Sequence, residues 1–223
     1  MTKFCRHQLR TTDVAGARAF YASVLGSGAA VDAVPLPPEV AARGAPPHWL
    51  GHLGVGDVER TADAFVARGA LRLGPTRPAP GGGQTAILRD PGGAVVALTT
   101  STDARTNAVW YVLHTSDLAR ASASYVEICG WQLTERIDLG PLGEYQQFAW
   151  TPGGPNAGAI TDITKRPGVH PHWLIHFPVP AIAAAIAAVS ASGGELITQL
   201  ATPDGAQIAV CHDPQGAIFA LRA

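Results

Sequence analysis

The chain has 223 residues, 47% of them hydrophobic and only 15% charged, with a net charge of −1 and a pI near 6.7. That balance leaves no basic footprint for nucleic acid and no cationic face for an anionic membrane, and no apolar run is long enough to span a bilayer. Three cysteines, Cys5, Cys129 and Cys211, are odd in number and lack metal-ligand spacing, so a disulfide framework is not expected and a reducing cytoplasm is.

The first residues, Met1-Thr2-Lys3-Phe4, read straight into a strand rather than a signal peptide. Asp13 then stands as a helix N-cap, and Ala17, Phe20, Tyr21, Val24 and Leu25 recur on one helical face before Gly26 ends it. A strand around Pro47-His48-Trp49-Leu50 leads to a second helix, with Ala62, Phe65 and Val66 facing the core before Gly69. Thr85 to Leu88 and Ala94 to Leu98 are strands joined by an Asp90-Pro91-Gly92-Gly93 turn. Gly81-Gly82-Gly83 precedes a strand rather than a helix, so it is a loop tip and not a phosphate cradle. A polar run from Thr99 to Asn107 reads as a linker. Beyond it, Ala121, Ser124, Tyr125 and Ile128 form a helical face closed by Gly130, and Ile182, Ile186 and Val189 form another before Gly193. Gln207 to Cys211, an Asp213-Pro214-Gln215-Gly216 turn and Ala217 to Leu221 close the chain.

These elements repeat. Pro47-His48-Trp49-Leu50 returns as Pro171-His172-Trp173-Leu174, with His52 matching His176 and Asp90-Pro91 matching Asp213-Pro214. Nearer the start, Leu9-Arg10-Thr11-Thr12-Asp13 matches Leu113-His114-Thr115-Ser116-Asp117. The two offsets differ by about twenty residues, extra length that the second half carries in the region of Trp131 to Ile163. The repeat sets two domains, 1–100 and 108–223, each built from two strand–helix–strands units, with the first unit shortened.

Thr11-Thr12-Asp13 with Phe20-Tyr21 and Leu25-Gly26, Thr115-Ser116-Asp117 with Tyr125 and Gly130-Trp131, and the closing Asp-Pro-x-Gly-Ala turns resemble the vicinal oxygen chelate superfamily of glyoxalase I, bleomycin-resistance proteins and extradiol dioxygenases. The resemblance implies an α+β fold of four βαβββ modules, forming two glyoxalase/bleomycin-resistance-type domains with curled, mostly antiparallel sheets. It also implies a divalent metal held by a His, Gln or Glu on a module's first strand and a Glu on its last. Those places fall here on Arg6, Leu50, Trp110 and Leu174, and on Ala97 and Ala220. Cationic, apolar and methyl side chains cannot ligate Zn²⁺, Ni²⁺ or Fe²⁺, so the expectation is no metal cofactor.

Alternation along a strand puts His48, Leu50 and His52 on one face, and His172, Leu174 and His176 on one face of the repeat copy. Three roles stay open for these imidazoles: satisfying loop carbonyls at the strand entrance or bonding across a module interface, contacting a polar ligand, or joining a relocated metal site of His114 and His176 with Glu144 or Asp162. Trp49 and Trp173 alternate with the histidines and should anchor the core. Trp110, Trp131, Tyr145, Phe148 and Trp150 cluster around the segment that the first half lacks, and serve either as core or as the aromatic wall of a ligand cup. Asp90 and Asp213 are expected to cap their turns through backbone amides.

The expected site lies in the second half and is lined by Trp110, His114, Tyr145, Phe148, Trp150 and His176, with imidazoles titrating near 6.5 if solvated. The expected ligand is a small, flat, weakly polar molecule bound without a metal, by a monomer or homodimer with no nucleic-acid or membrane partner. The alternative is a metal-dependent lyase or dioxygenase with a relocated histidine site using Zn, Ni or Fe.

Overall fold

A computed structural model describes residues 1–26, 28–29, 31–101, 107–140, 143–202 and 205–223. The chain begins with β1 (Phe4–Thr11), α1 (Val14–Leu25), β2 (Asp32–Pro35) and a short α2 (Pro38–Ala41). Next come β3 (His48–Gly54), α3 (Val58–Ala67), β4 (Leu71–Arg72), β5 (Arg77–Pro78), β6 (Gln84–Arg89) and β7 (Val95–Thr99). The second half supplies β8 (Trp110–Thr115), α4 (Leu118–Cys129), β9 (Gln132–Asp138), β10 (Glu144–Ala149) and β11 (Asn156–Asp162). It ends in β12 (His172–Pro178), α5 (Ile182–Ala191), β13 (Glu195–Ala201), β14 (Gln207–His212) and β15 (Ile218–Arg222).

Two open, mixed sheets result, ordered β2-β1-β3-β7-β6-β4 with β5 on β6, and β13-β14-β15-β12-β8-β11-β10-β9. The pairs β1–β2, β3–β7, β8–β11 and β12–β15 are parallel, and the hairpins β6–β7, β9–β10, β10–β11, β13–β14 and β14–β15 are antiparallel. The parallel pairs each carry a helical crossover and the antiparallel ones a short turn, as strand connection requires. The fold class is the one that the repeat and the resemblance imply. In the first module, β2 and the short α2 stand where the other modules carry strand hairpins. Of the expected linker, residues 102–106 lie outside the described residues.

The chain divides into two compact units, one of Met1–Arg6, Gly51–Thr106 and Tyr111–Trp173, the other of His7–Leu50, Asn107–Trp110 and Leu174–Ala223. Unit one has an aromatic core. Trp131 is fully buried, stacks on Tyr125 at 4.6 Å and on Phe148 at 4.5 Å, and its indole N–H donates to the Thr2 carbonyl at 2.7 Å. Phe4, Tyr111, Trp150 and Trp173 complete the cluster. Gly158 allows this packing, since a Cβ there would lie 2.0 Å from the Tyr111 carbonyl and 2.8 Å from the Phe148 ring. Unit two packs Tyr21, Trp49, Phe177, Phe219 and Phe20, edge to face or tilted. Such pairs add about 0.5–1.5 kcal/mol each beyond their buried area.

The helices follow their sequence pattern closely. Asp13, Asp57 and Asp117 cap α1, α3 and α4, each accepting from the amide three residues on. Ala17, Phe20, Tyr21 and Val24 are the buried face of α1, as the spacing requires. Several expected core positions differ. Val66 is 41% exposed, because it follows Phe65 round the helix and leaves the buried face. On α5 the fully buried residues are Ala185 and Val189, while Ile182 and Ile186 sit at its half-buried margin. The three cysteines are free thiols.

Candidate functional site

Register in the second sheet sets one row of side chains in unit one. Tyr145 on β10 pairs with Thr161 on β11, and Thr161 pairs with His114 on β8. Residues opposite one another share a face, so phenol, hydroxyl and imidazole stand side by side. From β12, His172 extends the row, with His114 Nδ1 and His172 Nε2 3.2 Å apart. The tautomers follow from the partners. His172 Nδ1 lies 2.8 Å from the His170 carbonyl, which only accepts, so Nδ1 carries the proton. Burial holds the His172 pKa below its usual value, which keeps the ring neutral at pH 7 and makes Nε2 an acceptor. His114 Nδ1 is therefore the donor in this pair.

Thr161 is tied down from two sides. Its hydroxyl donates to the Glu144 carbonyl at 2.9 Å and accepts from Arg166 Nη2 at 2.9 Å. Arg166 brings a positive charge to the row. Burial lowers its pKa, but an arginine stays cationic at any ordinary pH. The row can thus offer a phenol hydroxyl and, with its Nδ1 proton given to His172, the accepting Nε2 of His114, beside one fixed cation, on a face that is half-buried at Tyr145, His114 and His172.

The other expected lining residues fall elsewhere. Phe148 pairs with Gly158 and Tyr111, one residue out of phase with Tyr145, so it points to the opposite face and is 0% exposed in the core. Trp150 is half-buried against Phe4, Tyr111, Trp131 and Phe148. In unit two, Trp110 lies under the Arg222 guanidinium, 4.9 Å from ring centroid to Cζ, a cation–π contact. His176 is also in unit two, 4% exposed, and neither ring nitrogen has a hydrogen-bond partner among the described residues. Burial first, and then the Arg222 charge, push its pKa down to about 3. The value near 6.5 is expected only for a solvated ring, and buried His176 does not meet that condition.

The loop-carbonyl role is filled at both strand entrances, by His172 and by His48, whose Nδ1 lies 2.8 Å from the Pro46 carbonyl. Sequence reading missed Thr161, Arg166 and the pairing of His172 with His114. Within β11, Ala157 to Ile160 run without a polar residue, so no alternation in the sequence marks Thr161 as facing the row.

The donor set does not suit the metal that the resemblance implies. On β3 and β12 the inward histidines pair with methyl groups, His52 with Ala97 and His176 with Ala220, where a ligating carboxylate would be needed. Glu144 and Asp162, the oxygen donors of the relocated site, are out of phase with Tyr145 and Thr161 and leave the row's face. Glu144 pairs with Arg136 at 3.3 Å, and Asp162 accepts from the Thr164 amide and hydroxyl at 2.8 Å each. Among the described residues no three His, Cys, Asp or Glu side chains converge.

The repeated strand–helix–strand plan and its mixed sheets define an α+β protein of the paired-module kind. The chain belongs to the Glyoxalase/Bleomycin resistance protein/Dioxygenase superfamily, whose family model matches residues 107–221, just over half of the sequence. A curated relative, named "Putative glyoxylase CFP32" in Mycobacterium bovis, is 29% identical over 243 aligned positions, covering 96% of this chain and 91% of that one. Among solved structures, the Mn(II)-bound glyoxalase from Novosphingobium aromaticivorans superposes with a TM-score of 0.65 at 12% identity, covering 100% of this chain and 83% of the other. Homoprotocatechuate 2,3-dioxygenase from Brevibacterium fuscum, in complex with 3,4-dihydroxyphenylacetate, gives 0.68 at 16% identity, covering 99% and 80%. At such identities the structural likeness speaks for the fold.

Proposed function

We propose that the chain binds a small, flat, weakly polar molecule at the Tyr145–Thr161–His114–His172 row without the help of a metal ion. The observation that carries this reading is the register that sets a phenol, a hydroxyl and an imidazole side by side, with Arg166 anchored to the middle one. A ring with one or two oxygens suits it. The ring lies against the sheet while its oxygens meet Tyr145 and His114, and the Arg166 charge favours a phenol or enol that carries partial negative charge. Within this superfamily the reading aligns the chain with drug-sequestering members more than with metal-dependent lyases or ring-cleaving dioxygenases, because Ala97 and Ala220 face the inward histidines.

Two measurements test it together. Elemental analysis of the purified protein is expected to give well under one equivalent of Zn, Ni, Fe or Mn per chain. Catechol and 3,4-dihydroxyphenylacetate are then titrated without added metal, and saturable binding that His114→Ala and Tyr145→Phe both weaken is expected. One tightly held metal per chain, removed by chelator together with binding, would overturn the metal-independent reading. Binding indifferent to both substitutions would overturn the site.

A further inference from the structure

On the helical side of unit one, α3 and α4 flank a shallow, open groove of about 1060 Å³ whose lining includes Arg60, Arg68, Arg120, Glu127, Val66 and Ile128. Three guanidiniums thus meet one carboxylate. Glu127 is taken by Arg68 in an ion pair. The acidic residues on the remainder of α3 are also engaged: Arg72 holds Glu59 at 2.7 Å and Asp63 at 2.8 Å. Asp57 and Asp117, the nearest other carboxylates in sequence, accept the backbone amides of Arg60 and Arg120 as helix N-caps. The Arg60 and Arg120 side chains consequently have no carboxylate partner among the described residues. The Arg120 guanidinium lies beside Gly69, where an added Cβ would come within 3.3 Å of it.

Unpaired arginines on a bare surface are ordinary. Here they share a wall with two apolar side chains that nothing in unit one covers fully, Val66, which is exposed, and Ile128, which is half-buried. Planar forks presented beside apolar surface match an anion joined to an apolar body. We propose that the α3–α4 groove is a second binding site, separate from the sheet face, that takes a small organic phosphate. Arg60 and Arg120 engage the phosphate oxygens, and Val66 and Ile128 receive the apolar part. Arg68, held by Glu127, supplies background positive charge.

The test uses the full chain and phenyl phosphate, with inorganic phosphate and phenol as partial probes, followed by backbone amide NMR shifts. Phenyl phosphate is expected to shift amides in 60–69 and 120–128 saturably, and to bind more tightly than either partial probe. Arg60→Ala and Arg120→Ala should each weaken binding about fivefold or more, and raised salt should weaken it further. Glu127→Gln, which releases Arg68, should tighten it. If Arg120→Ala disturbs the fold, Arg120→Gln keeps the first methylenes of the stem and a polar end without the charge, and should still show the loss. Shifts absent or confined to other segments, affinity unchanged in the Arg60→Ala/Arg120→Ala double variant, or inorganic phosphate binding as tightly as phenyl phosphate would each overturn the proposal.

Discussion

The Tyr125 hydroxyl donates to Asp90 Oδ2 at 2.8 Å, joining residues 35 positions apart in the buried centre of unit one. The same hydroxyl accepts the Trp173 indole N–H at 3.3 Å, and Asp90 Oδ1 accepts the amides of Gly92 and Ala94 at 2.9 Å each. Indole, phenol, carboxylate and turn therefore form one relay. Unit two repeats it, with Trp49 donating to Tyr21 at 2.9 Å, Tyr21 to Asp213 at 3.2 Å, and Asp213 accepting from Gln215 and Ala217. Each relay gives its indole, phenol and carboxylate hydrogen-bond partners, which is what lets two indoles and two phenols sit in apolar cores. Both Asp-Pro turns cap themselves as their sequence implies, and the tyrosine contacts are additional.

Replacing Tyr125 with Phe removes the donor from a buried carboxylate and the acceptor from a buried indole. A loss of about 1–3 kcal/mol in unfolding free energy is expected. Tyr21→Phe should cost less, because the bond to the carboxylate is the stronger, charge-assisted one and is longer there at 3.2 Å, which outweighs its shorter bond from Trp49 at 2.9 Å. Urea unfolding of both variants checks the order, and equal costs would show that bond length does not set the strength of the relay.

Asp90 gives the relay a pH signature. Desolvation raises its pKa from 3.8 to about 6, with the Tyr125, Ala94 and Gly92 hydrogen bonds pulling the other way. The folded chain therefore holds this proton more tightly than the unfolded chain. Its stabilising contribution is full below pH 4 and is lost as pH rises through about 6, a change on the order of 3 kcal/mol. Asp90→Asn keeps an oxygen for the turn amides and cannot ionise. Relative to the parent it should gain stability between pH 4 and 6, and a difference that stays flat with pH would refute the assignment.

His176 runs in the opposite sense. Its folded pKa of about 3 lies below the unfolded 6.5, so the unfolded chain binds the proton more readily. Stability is present above pH 6.5 and falls as acid is added towards pH 3. His176→Leu removes two buried nitrogens without hydrogen-bond partners and is expected to stabilise the chain at pH 7 by about 1–3 kcal/mol. The gain should grow at pH 5, as read by thermal unfolding at both values. A variant less stable than the parent at both would mean that the imidazole is held by a favourable interaction.

The repeat, the turns and the helix faces were legible because each is set by local chemistry: Asp caps, glycine stops, and apolar spacing of three and four. The candidate row was legible only in part. His114 and Tyr145 could be named from the sequence, but Phe148 and Tyr145 are three residues apart on one strand and so must face opposite ways, a phase that strand alternation alone could have supplied. The link from His114 to His172 could not be read, since it depends on which strands neighbour one another. The burial of His176 was hidden for a similar reason. A histidine two residues from a buried Leu174 has the same sequence pattern whether its face is wet or dry.

Among the described residues four helices are long enough to need caps, and three have an aspartate at the N-cap. The fourth, α5, begins after Ala181, whose φ of −150° and ψ of 117° are the extended values of a capping residue, yet no side chain accepts from the first turn. Asp13, Asp57 and Asp117 occupy the matching place with similar backbone angles and do accept there. Ala181 is exposed, so a carboxylate at this position meets water and carries no burial cost. Its charge would also lie at the positive end of the helix dipole, in a first turn that contains no acidic residue. Ala181→Asp should therefore raise the unfolding free energy by about 1 kcal/mol, with Ala181→Ser giving a similar gain. Denaturant midpoints measured with an unchanged m-value check this, and no shift in either variant would mean that the first-turn amides of α5 are already satisfied by solvent.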